Sequence, residues 1–126
     1  MKNDFRFVWD DNAEEVFRAL QDGKAEDYLF SVRIGDLCFD LKADEDDSAE
    51  YPIDYDLYVG GVDDGYGKSW RKPGYPYTWY GSDTFFESVL TMGFDEFKKV
   101  AEEEFVEYIK YDDSLIAKAL EPLNIW

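Results

Sequence analysis

Apolar residues recur along this chain at two different periods, and the switches between them lay out the elements. Val16, Phe17 and Leu20 fall on one face of a helix that Asn12 or Asp11 caps and that ends near Asp22-Gly23. From Tyr28 the period drops to two: Phe30, Val32 and Ile34 face one way, and Leu29, Ser31 and Arg33 the other. Gly35-Asp36 is a turn signal of the glycine-first type, after which Leu37, Phe39 and Leu41 resume the alternation, so a hairpin is predicted here. Acidic residues at Asp44–Asp47 make a solvated loop. A third strand then places Ile53, Tyr55, Leu57 and Val59 inward and Asp54, Asp56 and Tyr58 outward.

Between Gly60 and Gly81 the pattern dissolves into Gly, Pro and aromatic residues, with room for a short strand at Tyr75–Tyr80. Helical spacing returns at Ser82 or Asp83 and runs through Phe85, Phe86, Val89, Leu90 and Met92 to Gly93. A second C-terminal helix spans Asp95 to Lys110, with Phe94, Phe97, Ala101, Phe105, Tyr108 and Ile109 as its apolar stripe. A short last helix starts at Asp113 or Ser114, carries Leu115, Ile116, Ala119 and Leu120, and stops before Pro122. This order predicts an α+β fold: an antiparallel sheet of three to four strands, with an N-terminal helix and two to three C-terminal helices packed on one face. Neither a repeat nor a linker interrupts residues 1–126, which read as a single acidic domain.

Composition supports a packed core. Of 126 residues, 45% are hydrophobic and 19% aromatic, enough for a domain that buries roughly two-thirds of its unfolded surface. Charge changes the picture: 30 Asp and Glu stand against 13 Lys and Arg, for a formal net charge of −17. Such an excess repels itself in the compact state, keeps the chain soluble and steers it toward basic surfaces. The N-terminus lacks the apolar run of a signal peptide, and no stretch approaches the ~18–20 apolar residues of a membrane span. The expected location is cytoplasmic, with no membrane partner.

Several chemistries fall away. The single cysteine, Cys38, excludes an intramolecular disulfide and a thiolate zinc site. Cys38 is expected on the outward side of its strand, where Asp36 and Asp40 raise its thiol pKa rather than activate it. With no histidine there is no Ser-His or Cys-His dyad and no imidazole ligand. Gly60–Ser69 has a Gly-Lys-Ser sequence, but Val62 stands where a phosphate-binding loop needs glycine, and Asp63 and Asp64 would repel phosphate. The clusters at Asp44–Asp47 and Asp63-Asp64 lack the alternating ligands and closing glutamate of a calcium loop. The expectation is a non-catalytic protein without metal or cofactor.

Acids on regular elements are the more informative ones. Asp54 and Asp56 share one strand face ~6.6 Å apart, a spacing comparable with neighbouring phosphates on a nucleic-acid strand. Asp36 and Asp40 extend that row if the two strands are neighbours, and Tyr58 borders it. Glu102, Glu103 and Glu107 lie on the helix side away from the apolar stripe, beside Asp95 and Glu96 and diluted by Lys98, Lys99 and Lys110. Trp70 and Arg71 are expected at the tip of the aromatic segment at residues 66–80, which also holds Lys68 and Lys72. Trp, Tyr and Arg of this kind are favoured at interface hot spots. In size, charge and lack of catalytic residues the chain resembles small acidic phage and mobile-element proteins that inhibit restriction or CRISPR nucleases. The resemblance covers composition and no motif. It implies a basic, nucleic-acid-handling protein partner, blocked by phosphate mimicry, and no direct binding of nucleic acid. An immunity-type protein that neutralises a toxin, or a small-ligand or carbohydrate module using the aromatic segment, fits the same sequence. A homodimer is compatible only through that segment, since any other interface brings like charges together.

Overall fold

A computed structural model describes residues 5–24, 27–44, 51–59 and 78–120. Five strands form one antiparallel sheet in chain order: β1 (Val8–Trp9), β2 (Tyr28–Ile34), β3 (Leu37–Ala43), β4 (Ile53–Val59) and β5 (Thr78–Phe85). Helix α1 (Ala13–Gln21) lies between β1 and β2. A 3-10 turn at Glu87–Thr91 follows β5 and leads into α2 (Phe94–Ile109) and α3 (Asp113–Ala119). The fold is therefore α+β, as the alternation predicts, with one strand more than the three to four expected.

The hairpin at Gly35-Asp36 is present. Gly35 takes φ +53°, a backbone conformation that L side chains rarely adopt. Ile34 pairs with Leu37 on either side of the turn. The Asp36 amide donates to the Lys118 carbonyl at 2.8 Å, so the turn is fastened to the end of α3. Asp112 caps α3, its carboxylate accepting from the Ser114 amide at 2.8 Å. Asn12 is the N-cap of α1, but its side chain makes no capping bond and only its carbonyl accepts, from Val16.

One helix expected from the sequence is not there. The stretch from Ser82 belongs to β5, paired through Asp56↔Ser82, Tyr55↔Asp83 and Ile53↔Phe85, and only Glu87–Thr91 turns helically. Pairing with β4 and burial of Phe85 outweigh the helical spacing of Phe85, Phe86, Val89 and Leu90. Of the short strand expected at Tyr75–Tyr80, residues 75–77 lie outside the described residues, and the strand begins at Thr78.

The core lies between one sheet face and the helices. Phe30, Val32, Ile34, Leu37, Phe39, Leu41, Ile53, Tyr55 and Leu57 supply the sheet side; Phe17, Phe97, Ala101, Phe105 and Ile109 supply the helix side. Two ring stacks bridge the layers or join the helices: Phe39 on Phe105 at 4.0 Å and Phe17 on Phe97 at 4.3 Å between centroids. Each such side chain contributes about 2–3 kcal/mol by leaving water.

Candidate functional site

Helix α2 has a second stripe opposite its buried one. Lys99, Glu102, Glu103, Val106, Glu107 and Lys110 recur at the 3-4 spacing that aligns one helical face. Phe5 and Phe7, just before β1, run beside this stripe. Together they line a groove of about 610 Å³ with an apolar floor of Phe5, Phe7 and Val106, and with three glutamates and two lysines, Lys99 and Lys110, around it. Three contacts hold the N-terminal segment in place. Phe7 lies 6.1 Å from Phe105 between ring centroids, Trp9 Nε1 donates to Glu102 at 2.8 Å, and Lys98 Nζ sits 5.6 Å from the Trp9 ring centroid. Glu103 and Glu107 are exposed and stand about 6 Å apart along the axis. Glu102 is half-buried and already engaged by Trp9, so it shapes the groove more than it presents a charge.

The acids predicted on the sheet do not form an open row. Asp54 and Asp56 do share the face turned away from the helices, and Asp40 is paired with Asp56 across β3 and β4. Yet this face is itself buried along β2 and β3, with Ser31 4% and Cys38 1% exposed. Cys38 is therefore not outward in the sense of solvent-facing. Its thiol donates to Asp40 at 3.3 Å, and burial first, then the charge of Asp40, holds its pKa well above the ordinary value. Asp40 also accepts from Ser31, whose hydroxyl pairs with Tyr28 at 2.6 Å; burial pushes the Asp40 carboxyl up. Asp10 completes the network, accepting from the Ser31 amide at 2.8 Å and from Arg33 at 3.2 Å.

The remaining sheet acids are largely engaged, although Asp54 Oδ1 is buried without a hydrogen-bond partner. Asp36 lies buried in the hairpin turn against α3 rather than extending the row. Lys42 crosses the row, its ammonium 2.7 Å from Asp56, which also accepts from Trp79 Nε1 at 3.3 Å. Asp54 is held against Asp44, and burial and that neighbouring charge raise its pKa. Tyr58 is half-buried opposite Cys38 and Trp79. Buried carboxylates need partners, and for Asp10, Asp40 and Asp56 the partners are the protein's own groups. Trp70 and Arg71 lie outside the described residues.

Of the ten predicted contact residues, the structure thus brings together Glu102, Glu103 and Glu107 on α2 and Asp40, Asp54 and Asp56 on the outer sheet face, and it buries Asp36 in the hairpin turn. Phe5, Phe7 and Trp9 are the site residues that sequence reasoning missed. Their signal is a run of three alternating aromatics before Asp10. Among the described residues only three ion pairs form, Arg18–Glu14, Arg33–Asp10 and Lys42–Asp56, and none lies in the groove. No family model, curated protein or solved structure matches this chain, which leaves the geometry above as the ground for a functional assignment.

Proposed function

We propose that this chain is a non-catalytic antagonist of a basic, nucleic-acid-handling protein, and that it offers the exposed Glu103 and Glu107 of the α2 groove to that protein in place of phosphate. The reading rests on one observation: Glu103 and Glu107 stand exposed beside an apolar floor of Phe5, Phe7 and Val106 in a chain of net charge −17. A basic segment carrying an apolar side chain between its Lys or Arg residues complements such a groove in both charge and shape. Long-range steering supplies the encounter, and burial of the apolar residue supplies the specificity. Phosphate-binding grooves derive their affinity from Lys and Arg, so occupying them with carboxylates displaces nucleic acid.

The test is an affinity capture from host lysate with wild-type protein and with the double variant Glu103→Gln/Glu107→Gln, eluted by duplex DNA or RNA. The expected result is a basic nucleic-acid-binding protein that the wild type retains, polynucleotide releases, and the variant holds at least about tenfold more weakly. Capture that polynucleotide does not disturb, or that the double variant matches, overturns the reading.

A further inference from the structure

A different group of polar side chains lies on another flank of α2, over the β4–β5 side of the sheet. Tyr55 on β4 and Asp83 on β5 are directly opposed across the two strands. Glu104 and Tyr108, one turn apart on α2, stand over them, with the Tyr55 and Tyr108 rings 6.0 Å apart between centroids. The Tyr108 hydroxyl occupies the space that a side chain at Gly81 would take, which sets α2 closely against β5. Burial pushes the Glu104 carboxyl up to about 7, and the charge of Asp83 adds to the shift. Burial also raises Tyr55 and Tyr108; among charges, Tyr55 feels Glu104 most and then Asp83, and Tyr108 feels Asp83.

Tyr55 is 1% exposed, and its hydroxyl has no hydrogen-bond partner. A buried polar group left unmet is costly, so such a group in a folded chain asks what meets it. Among charges this hydroxyl feels Glu104 first and then Asp83. Asp83 is exposed, with its Oδ1 accepting from the Thr84 amide at 2.8 Å, and among the described residues no lysine or arginine forms an ion pair with either carboxyl.

We propose that Asp83, Glu104 and the Tyr55 hydroxyl form a binding site for a primary alkylammonium group, the chemistry of a lysine side chain or of a small free amine. An ammonium carries three donors and no acceptor, one donor for each of the three oxygen-bearing groups. Its charge answers both carboxyls, and the Tyr108 ring flanks the alkyl chain. The flat fork of a guanidinium suits a paired, planar acceptor better than three acceptors on three elements. Where the ammonium belongs to a basic partner, the inference rests on the function proposed above; the free-amine arm does not.

The experiment is an NMR titration of the full chain with n-butylammonium, following the side-chain carboxyl resonance of Glu104, in wild type, Glu104→Gln and Tyr55→Phe. Tetramethylammonium, which has charge but no N–H donor, is the control. The expected result is a saturable shift with n-butylammonium, about tenfold weaker binding in Glu104→Gln, and several-fold weaker binding in Tyr55→Phe despite a more stable free protein. Affinity rises with pH through about 7 as Glu104 ionises in the field of Asp83, Tyr55 and Tyr108. Equal shifts from tetramethylammonium, no saturation, or unchanged binding in Tyr55→Phe overturn the site and leave water as the hydroxyl's partner. A second arm uses a hexalysine peptide. Loss of peptide binding in Glu104→Gln but not in Glu103→Gln/Glu107→Gln assigns the partner's lysine to this site. Peptide binding that only the latter variant weakens removes this site and leaves the function proposed for the groove standing. Butylammonium binding without peptide binding does the reverse.

Discussion

At the scale of single residues, the chain separates acids that serve the fold from acids that face outward, and Glu104 belongs to neither group comfortably. Its carboxyl is held near 7 by burial and by Asp83, against an ordinary value of 4.5. The folded state therefore holds a proton that the unfolded chain releases above its ordinary pKa. Stability from this group is fully present below about 4.5 and is lost as pH rises through about 7. Glu104→Gln should stabilise the protein at pH 8 by about 1 kcal/mol, allowing for solvent screening of a half-buried group, and by almost nothing at acid pH. Thermal melts of both proteins across that range check the sign; a gain that is independent of pH would place the effect elsewhere. None of this was legible in the sequence, because residues 55, 83 and 104 meet only through the register of β4 with β5 and the packing of α2 over it.

At the scale of elements, the strongly periodic segments were readable and the short or interrupted ones were not. The β2–β3 hairpin, β4 and α2 carry clean periods of two or 3.6, and each formed close to where its pattern placed it. Strand β1 has only two residues, too few for a pattern, and it gains its stability by pairing Val8 and Trp9 with β2. The sequence of strand β5 carries a partly helical spacing because Gly81, Asp83 and the irregularity opposite Leu57 and Tyr58 break its alternation. Alternation also tells which residues share a face but not what covers that face: Cys38 and Asp40 stand on the outer sheet face as the pattern predicts, yet Cys38 is buried there and Asp40 half-buried. The hairpin and α3 form a joint whose strength can be measured. A side chain at Gly35 meets the backbone carbonyls of Lys118 and Ala119, in a conformation already unfavourable for L-residues. Gly35→Ala should cost at least about 2 kcal/mol and speed amide hydrogen exchange in α3 before the rest of the protein. Uniform exchange across all elements would show that the joint does not act locally.

At the scale of the whole molecule, charge opposes the fold that the aromatic core imposes. Three ion pairs among the described residues offset little of a net charge of −17, and the Arg18–Glu14 pair is exposed on one helix face. Screening that repulsion should raise the melting temperature by about 4 °C between low salt and ~0.5 M, the shift expected for ~1 kcal/mol in a chain of this size. The same salt should weaken any contact made by Glu103 and Glu107, so stability and partner affinity are expected to move in opposite directions. A melting temperature indifferent to salt would mean that the acids are spaced widely enough to ignore one another.

The strand order β1-β2-β3-β4-β5 repeats the order of the chain, without a crossover. During synthesis, each strand therefore finds its neighbour already made, and no partially built sheet has to hold a gap open for a strand that arrives later. What arrives late is the cover. Phe39, Tyr55 and Phe85 are presented on the growing sheet well before Phe97 and Phe105 of α2 exist to close over them. The nascent chain thus passes through an interval in which its most aromatic surface is wet, and its excess of acidic side chains keeps neighbouring nascent chains apart during that interval. An acidity that weakens the finished protein is, on the ribosome, a safeguard against self-association.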